Sequence, residues 1–176
     1  MEILFILTAI LQSVAISLGV GSSTIAIVNF FVAIADKNIE PTERKMMGVT
    51  YAILRVAMVL IFLTTTALTL FGYYQFTSGT ISPYGIAFFI LILVLYINAI
   101  LMTRRIMPST LGPALQAGTW YTLGVLGSLL PLGLTTFTLL QFIIAYVIVI
   151  LFATALVNGL IAYYTTCRNH PNQTQK

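Results

Sequence analysis

From Ile3 to Ala35 the chain runs for 33 positions without one charged side chain. Wound as a straight α-helix, that run is roughly 50 Å long. The hydrocarbon core of a bilayer is about 30 Å thick. A helix of this kind must tilt, kink or project from a membrane. Near its middle lies a small, polar cluster, Gly19-Val20-Gly21-Ser22-Ser23-Thr24. Ala9, Ser13, Ser17 and Gly21 recur at every fourth position, which predicts a ridge of small residues where a second helix can approach closely. Gly19 and Gly21 also permit a bend. The cluster is a poor match to a phosphate-binding loop, because no lysine follows it and no strand precedes it.

The rest of the chain fits the same solvent. Of 176 residues, 59% are hydrophobic and 7% charged, against about 25% charged in a soluble domain. A net charge of +4 comes from too few basic residues to suggest nucleic-acid binding. The N-terminus carries Glu2 and no basic cluster, and its apolar run exceeds a signal peptide's, so it is expected to be a retained first span. The one cysteine, Cys167, excludes an internal disulfide and a cysteine-rich metal site.

Turn and charge signals divide the chain into five spans, at about 3–35, 41–73, 84–103, 110–130 and 135–164. The only dense charged segment, residues 36–45, reads as a tight hairpin at 36–40 and a helix start at Pro41, with Glu40 and Glu43 at its positive end. The connection at 73–83 is neutral and turn-rich, and its tyrosines suit a membrane boundary. The fourth span is dense in small residues, Gly124 and Gly127 among them, and is expected to pack closely. Trp120 and Tyr121, near its middle, read as packing residues. Residues 165–176 read as a polar, disordered tail.

Lys37, Arg44, Lys45, Arg104, Arg105, Arg168 and Lys176 fall in alternate connections, and Arg55 lies near the first of them. The positive-inside rule then predicts an outside N-terminus and a cytoplasmic C-terminus. The expected fold is an all-α, integral membrane bundle of five transmembrane helices forming one domain.

Each span also carries one polar side chain at similar depth. Asn29, Asn98 and Asn158 precede Asp36, Arg104 and Arg168 by seven, six and ten residues. Arg55 follows Lys45 by ten, and Gln116 follows Thr110 by six. All five fall on the order of 9–15 Å from the cytoplasmic helix ends. Two readings stand. The amides bond across helices while Arg55 snorkels to the surface, or Arg55 and the four amides surround a hydrated pocket. Beyond Glu43 in the first turn of the second span, no span holds Asp or Glu to neutralise Arg55, so a pocket there would take an anionic partner.

Several chemistries are excluded. The one histidine, His170, lies in the tail, which removes a bis-histidine haem within the bundle. No buried His/Cys/Asp/Glu set is available for a metal, and no base is available to activate a serine. No enzyme activity and no cofactor are expected.

The string Leu18–Thr24, the acidic turn ending in Glu43, and Asn98 followed by Pro108 resemble a group of bacterial inner-membrane proteins with no established activity. The resemblance covers roughly residues 10–115. Members of that group tend to have a second Gly and an Ala where this chain has Ser22 and Ser23. It implies a multi-span bundle in a bacterial inner membrane and no particular activity. A weaker likeness to four-helix haem and copper-resistance membrane proteins is architectural only. Two functions are therefore expected: a small transporter or channel-like protein with the polar layer as its site, or a non-catalytic membrane subunit. The partners expected are membrane lipids and a second copy or another membrane protein.

Overall fold

The computed structural model describes residues 2–36, 40–72, 81–108 and 111–169. The expected hairpin at 37–39, the connection at 73–80, the first residue of the fourth span and the tail beyond 169 lie outside the described residues. Every element among the described residues is helical: α1 (Glu2–Asp36), α2 (Pro41–Leu70), α3 (Pro83–Thr103), α4 (Leu111–Leu129) and α5 (Leu139–Asn169).

Local chemistry sets most of the ends. Pro41 opens α2, where its missing N–H costs nothing, and the Glu40 N–H donates to Glu43 Oε2 at 3.1 Å. Ser82 caps α3 by accepting from the Gly85 N–H at 3.1 Å. A reciprocal capping box starts α5: the Gln141 N–H donates to Thr138 Oγ1 at 3.3 Å, and the Thr138 N–H donates to Gln141 Oε1 at 2.9 Å. That box moves the start of α5 from 135 to Leu139. Gly72, at φ +82°, stops α2 at Leu70 rather than at Tyr73. Arg105 ends α3 at φ +56°, with the Ile106 N–H donating to the Leu101 carbonyl. At the other end of the chain α5 continues to Asn169, so residues 165–169 are helical and not a disordered tail. No glycine or proline lies between Leu160 and His170 to stop it.

Four helices are long and apolar enough to cross a membrane: α1 over Glu2–Asn29, α2, α3, and α5 over Leu139–Tyr163. The fourth in sequence, α4, is shorter and richer in glycine, threonine and serine. It packs against α1, α3 and α5, while α1 and α2 share the largest contact. Two hydrogen bonds fix α4 antiparallel to α3. Tyr84 OH donates to the Leu126 carbonyl at 2.6 Å, and Asn98 Nδ2 donates to the Gly112 carbonyl at 3.0 Å. From Tyr84 to Asn98 is 14 residues and from Gly112 to Leu126 is also 14, so the two helices run in register for about 21 Å.

The core follows helical spacing, as in Leu54, Ala57, Ile61 and Leu68 of α2 and Phe88, Leu91 and Leu95 of α3. The outer faces are apolar as well: Leu140, Leu151 and Phe152 of α5 are each at least 65% exposed. This is the distribution expected where the surrounding solvent is lipid.

Facing of α1 departs from the sequence expectation. Ala9 packs against the core, but Ser13, Ser17 and Gly21 are exposed, and a Cβ at Gly21 would meet nothing. The packed face is Gln12, Ala15, Gly19 and Ser22. These follow spacings of three, four and three, the register of two helices wrapping each other. Gly19 is the close contact: a Cβ there would overlap the Trp120 ring. Gly124 and Gly127 face the same helix, where added Cβ atoms would come to 3.5 Å from Val20 and 3.3 Å from Ile16.

Candidate functional site

The serine and threonine cluster of α1 is not itself the site, and of its side chains only Ser23 reaches the cavity that is. In a helix that lipid surrounds, a hydroxyl without a partner is costly, and the helix's own carbonyls are nearest. Ser22, Ser23 and Thr24 each donate to the carbonyl of Leu18 or Val20, at 2.6–2.9 Å. Thr24 also bonds Tyr121 OH at 2.7 Å. These groups are spent on helix and packing.

The polar side chains that come together lie on α3 and α4. Asn98 is fully buried, and its Nδ2 donates to Gln116 Oε1 at 2.9 Å as well as to the Gly112 carbonyl. Gln116, 6% exposed, turns its Nε2 toward Met58 Sδ of α2 at 3.9 Å, a weak acceptor. The antiparallel register of α3 and α4 produces this pairing, because it sets Asn98 level with the first turns of α4.

Gln116 forms part of the wall of a cavity of about 290 Å³ between α1, α2, α3 and α4. Tyr51, Arg55 and Met58 of α2, Ser23 and Ile27 of α1, Thr103 of α3 and Pro113 of α4 are also part of the wall. Thr103 ends α3 and Pro113 is in the first turn of α4. The cavity therefore lies at the end of the bundle where the arginines cluster. Most of its wall is apolar and none of it is a carboxylate. Arg55 makes no hydrogen bond or ion pair among the described residues, and its side chain is exposed. It borders two spaces, the inner cavity and a second hollow on the outer side of α2 and α3. Snorkelling and facing a pocket are thus not alternatives for this residue.

Each of the five expected site residues has a definite position. Arg55 and Gln116 line one cavity. Asn98 lies behind Gln116 and orients its amide. Asn29 is half-buried on α1, its Nδ2 enclosed and without a partner among the described residues, two residues beyond Ile27 and outside the cavity wall. Asn158 is exposed on α5 and joins neither cavity nor network, so its inclusion in the site is corrected. Depth is only one coordinate. The rotation of α5, which packs mainly on α4, turns Asn158 outward. The wall residues Tyr51 and Met58 went unforeseen, although their spacing of four and three from Arg55 puts them on its side of α2.

A larger groove, about 500 Å³, lies between α4 and α5 toward the opposite end. Its wall is apolar and aromatic, with Phe137, Phe142 and Tyr146 in or near stacked pairs. It contains no cation. Among the described residues, no group of three His, Cys, Asp or Glu side chains could hold a metal ion. No protein family, curated protein or solved structure matches the chain.

Proposed function

We propose that the chain is a bacterial inner-membrane protein with five crossings, its N-terminus outside and its C-terminus in the cytoplasm, and that it is a small transporter or channel-like protein and not an enzyme. The cavity at the arginine-rich end is its solute site. The observation that carries this reading is the cavity wall: one guanidinium without a partner among the described residues, one buried amide held by a second, and no acidic group. Such a wall favours a small anion with an apolar body over a cation, because an uncompensated charge at membrane depth attracts its counter-charge from the ligand. The in-register contact with α3 supports a fifth crossing by α4: a helix that follows a spanning neighbour for about 21 Å shares its depth. The distribution of Lys and Arg supports the orientation.

The experiment is flux in liposomes containing the purified chain. A series of chloride, acetate, benzoate and potassium as permeants reads both charge preference and size. Benzoate or acetate should pass faster than potassium, and Arg55→Leu or Gln116→Leu should lower that flux at least about tenfold. Equal flux in the variants would remove the site. For topology, single cysteines introduced as Gln75→Cys and Asn172→Cys in a Cys167→Ser background should label from opposite faces. Labelling from one face would remove the five-crossing arrangement.

The second reading, a non-catalytic subunit, is favoured by the exposed Ser13, Ser17 and Gly21 face of α1, which no helix among the described residues covers. A stable complex with another copy or another membrane protein, without flux, would support it.

A further inference from the structure

A second hollow adjoins Arg55, on the outer side of the seam between α2 and α3. Its volume is about 420 Å³, and it is wide open. Arg55 and Arg104 flank it, and Val59, Tyr96 and Ile100 form its apolar wall. Val59 and Ile100 are 50% and 52% exposed, so the wall faces the surroundings of the bundle. Tyr96 OH donates to the Met58 carbonyl at 3.2 Å, and the Tyr96 ring packs edge-on against Phe62, with centroids 6.1 Å apart. That bond fixes the register of the seam. Arg55 is three residues before Met58, and Ala99 is three after Tyr96, so the antiparallel pair sets Arg55 level with Ala99. Arg104 is five residues further toward the helix end, about 7 Å nearer the boundary.

Neither arginine makes a hydrogen bond or ion pair among the described residues, and no Asp or Glu lies on α3, α4 or α5. Two staggered guanidiniums, one at the boundary and one within snorkelling reach below it, meet above a strip of apolar wall. We infer that this groove holds an anionic phospholipid of the cytoplasmic leaflet, its phosphodiester between Arg55 and Arg104 and one acyl chain along Val59, Ile100 and Tyr96. The charge selects the headgroup, since basic pockets between membrane helices take anionic lipids. The apolar wall selects a lipid over free phosphate, which would leave that wall without a partner. The inference rests on the membrane reading above but not on the solute site: Arg104 borders this groove and is absent from the inner cavity wall.

Native mass spectrometry of the full chain, released from nanodiscs of phosphatidylglycerol mixed equally with phosphatidylcholine, tests it. The wild type should retain phosphatidylglycerol in preference to phosphatidylcholine. Arg104→Gln and Arg55→Gln should each reduce that retention about tenfold. Arg105→Gln removes the same charge one residue along, outside the groove, and should leave retention unchanged. Equal retention of the two lipids would overturn the inference, as would an equal loss in Arg105→Gln, which marks charge without a site. Added inorganic phosphate in the millimolar range should not displace the lipid, and displacement would assign the arginines to a free anion instead. Anion flux measured on Arg104→Gln keeps the two sites apart. A failed flux assay with intact lipid retention removes only the solute site, and the converse removes only this one.

Discussion

Helices α4 and α5 lie against each other and reverse the usual relation between hydropathy and burial. Among the described residues α5 is apolar enough to span a membrane, yet only Phe142 and Val157 of its side chains are buried. By the same measure α4 falls short, yet it buries Gln116, Thr119, Trp120, Leu123 and Leu126 along with several small residues. In water the more apolar helix would be the inner one. Lipid is as apolar as leucine, so apolarity gives a helix no reason to go inside. Helices close through small side chains that let backbones approach and through polar groups that need a partner. One such bond joins most neighbours: Gln12 to Thr65 between α1 and α2, Thr24 to Tyr121 between α1 and α4, and Thr119 to Tyr146 between α4 and α5.

Substitutions can break this contrast in graded steps. The largest effect is expected from Gly19→Val, which drives methyl groups into the Trp120 ring. Overpacking costs about 1–3 kcal/mol, and a rigid, fully buried indole puts this site at the upper end. A thermal midpoint in detergent close to wild type would mean that α1 and α4 do not meet there. Next, Asn98→Leu removes two donated hydrogen bonds between α3 and α4 and should destabilise by about 1–2 kcal/mol, read from the same midpoint. Gly118→Ala is milder, because the one close approach of its Cβ would be to the terminal methyl of Ile150, at 2.8 Å, which can rotate away; its cost should fall below about 1 kcal/mol. Leu151→Ala, on the outer face of α5, should lie within about 0.5 kcal/mol of wild type. A cost for Leu151→Ala as large as that for Asn98→Leu would show that another protein surface covers α5.

The start of α2 is readable in the sequence because one residue, Pro41, carries it, whereas the starts of α3 at Pro83 and of α5 at Leu139 are set by caps, Ser82 and Thr138 with Gln141, that spans begun at 84 and 135 pass over. The shared depth of the amides Asn98 and Gln116 is readable too, and their pairing follows once both also turn toward the α3–α4 contact. Rotation about a helix axis is not readable in the same way. The apolar residues of α1 and α5 surround the helix, so no face is marked. Small residues on α1 offer two stripes, Ala9–Ser13–Ser17–Gly21 and Ala15–Gly19–Ser22. Only the partner decides between them, and that partner is Trp120, about a hundred residues away in the chain. Asn158 fails for the same reason. The cavity needs four helices placed at once, so its apolar wall has no signature in any one of them.

The contact between Gly19 and Trp120 has a practical corollary. The chain has a single tryptophan, and its indole is fully enclosed, its Nε1–H without a hydrogen-bond acceptor among the described residues. Its ultraviolet emission therefore comes from one point, the junction of α1 and α4, in a dry and apolar setting. That emission should lie at short wavelength and resist aqueous quenchers such as iodide. Any ligand, lipid or substitution that parts those two helices will shift it toward the red, giving a label-free optical readout of the bundle's centre.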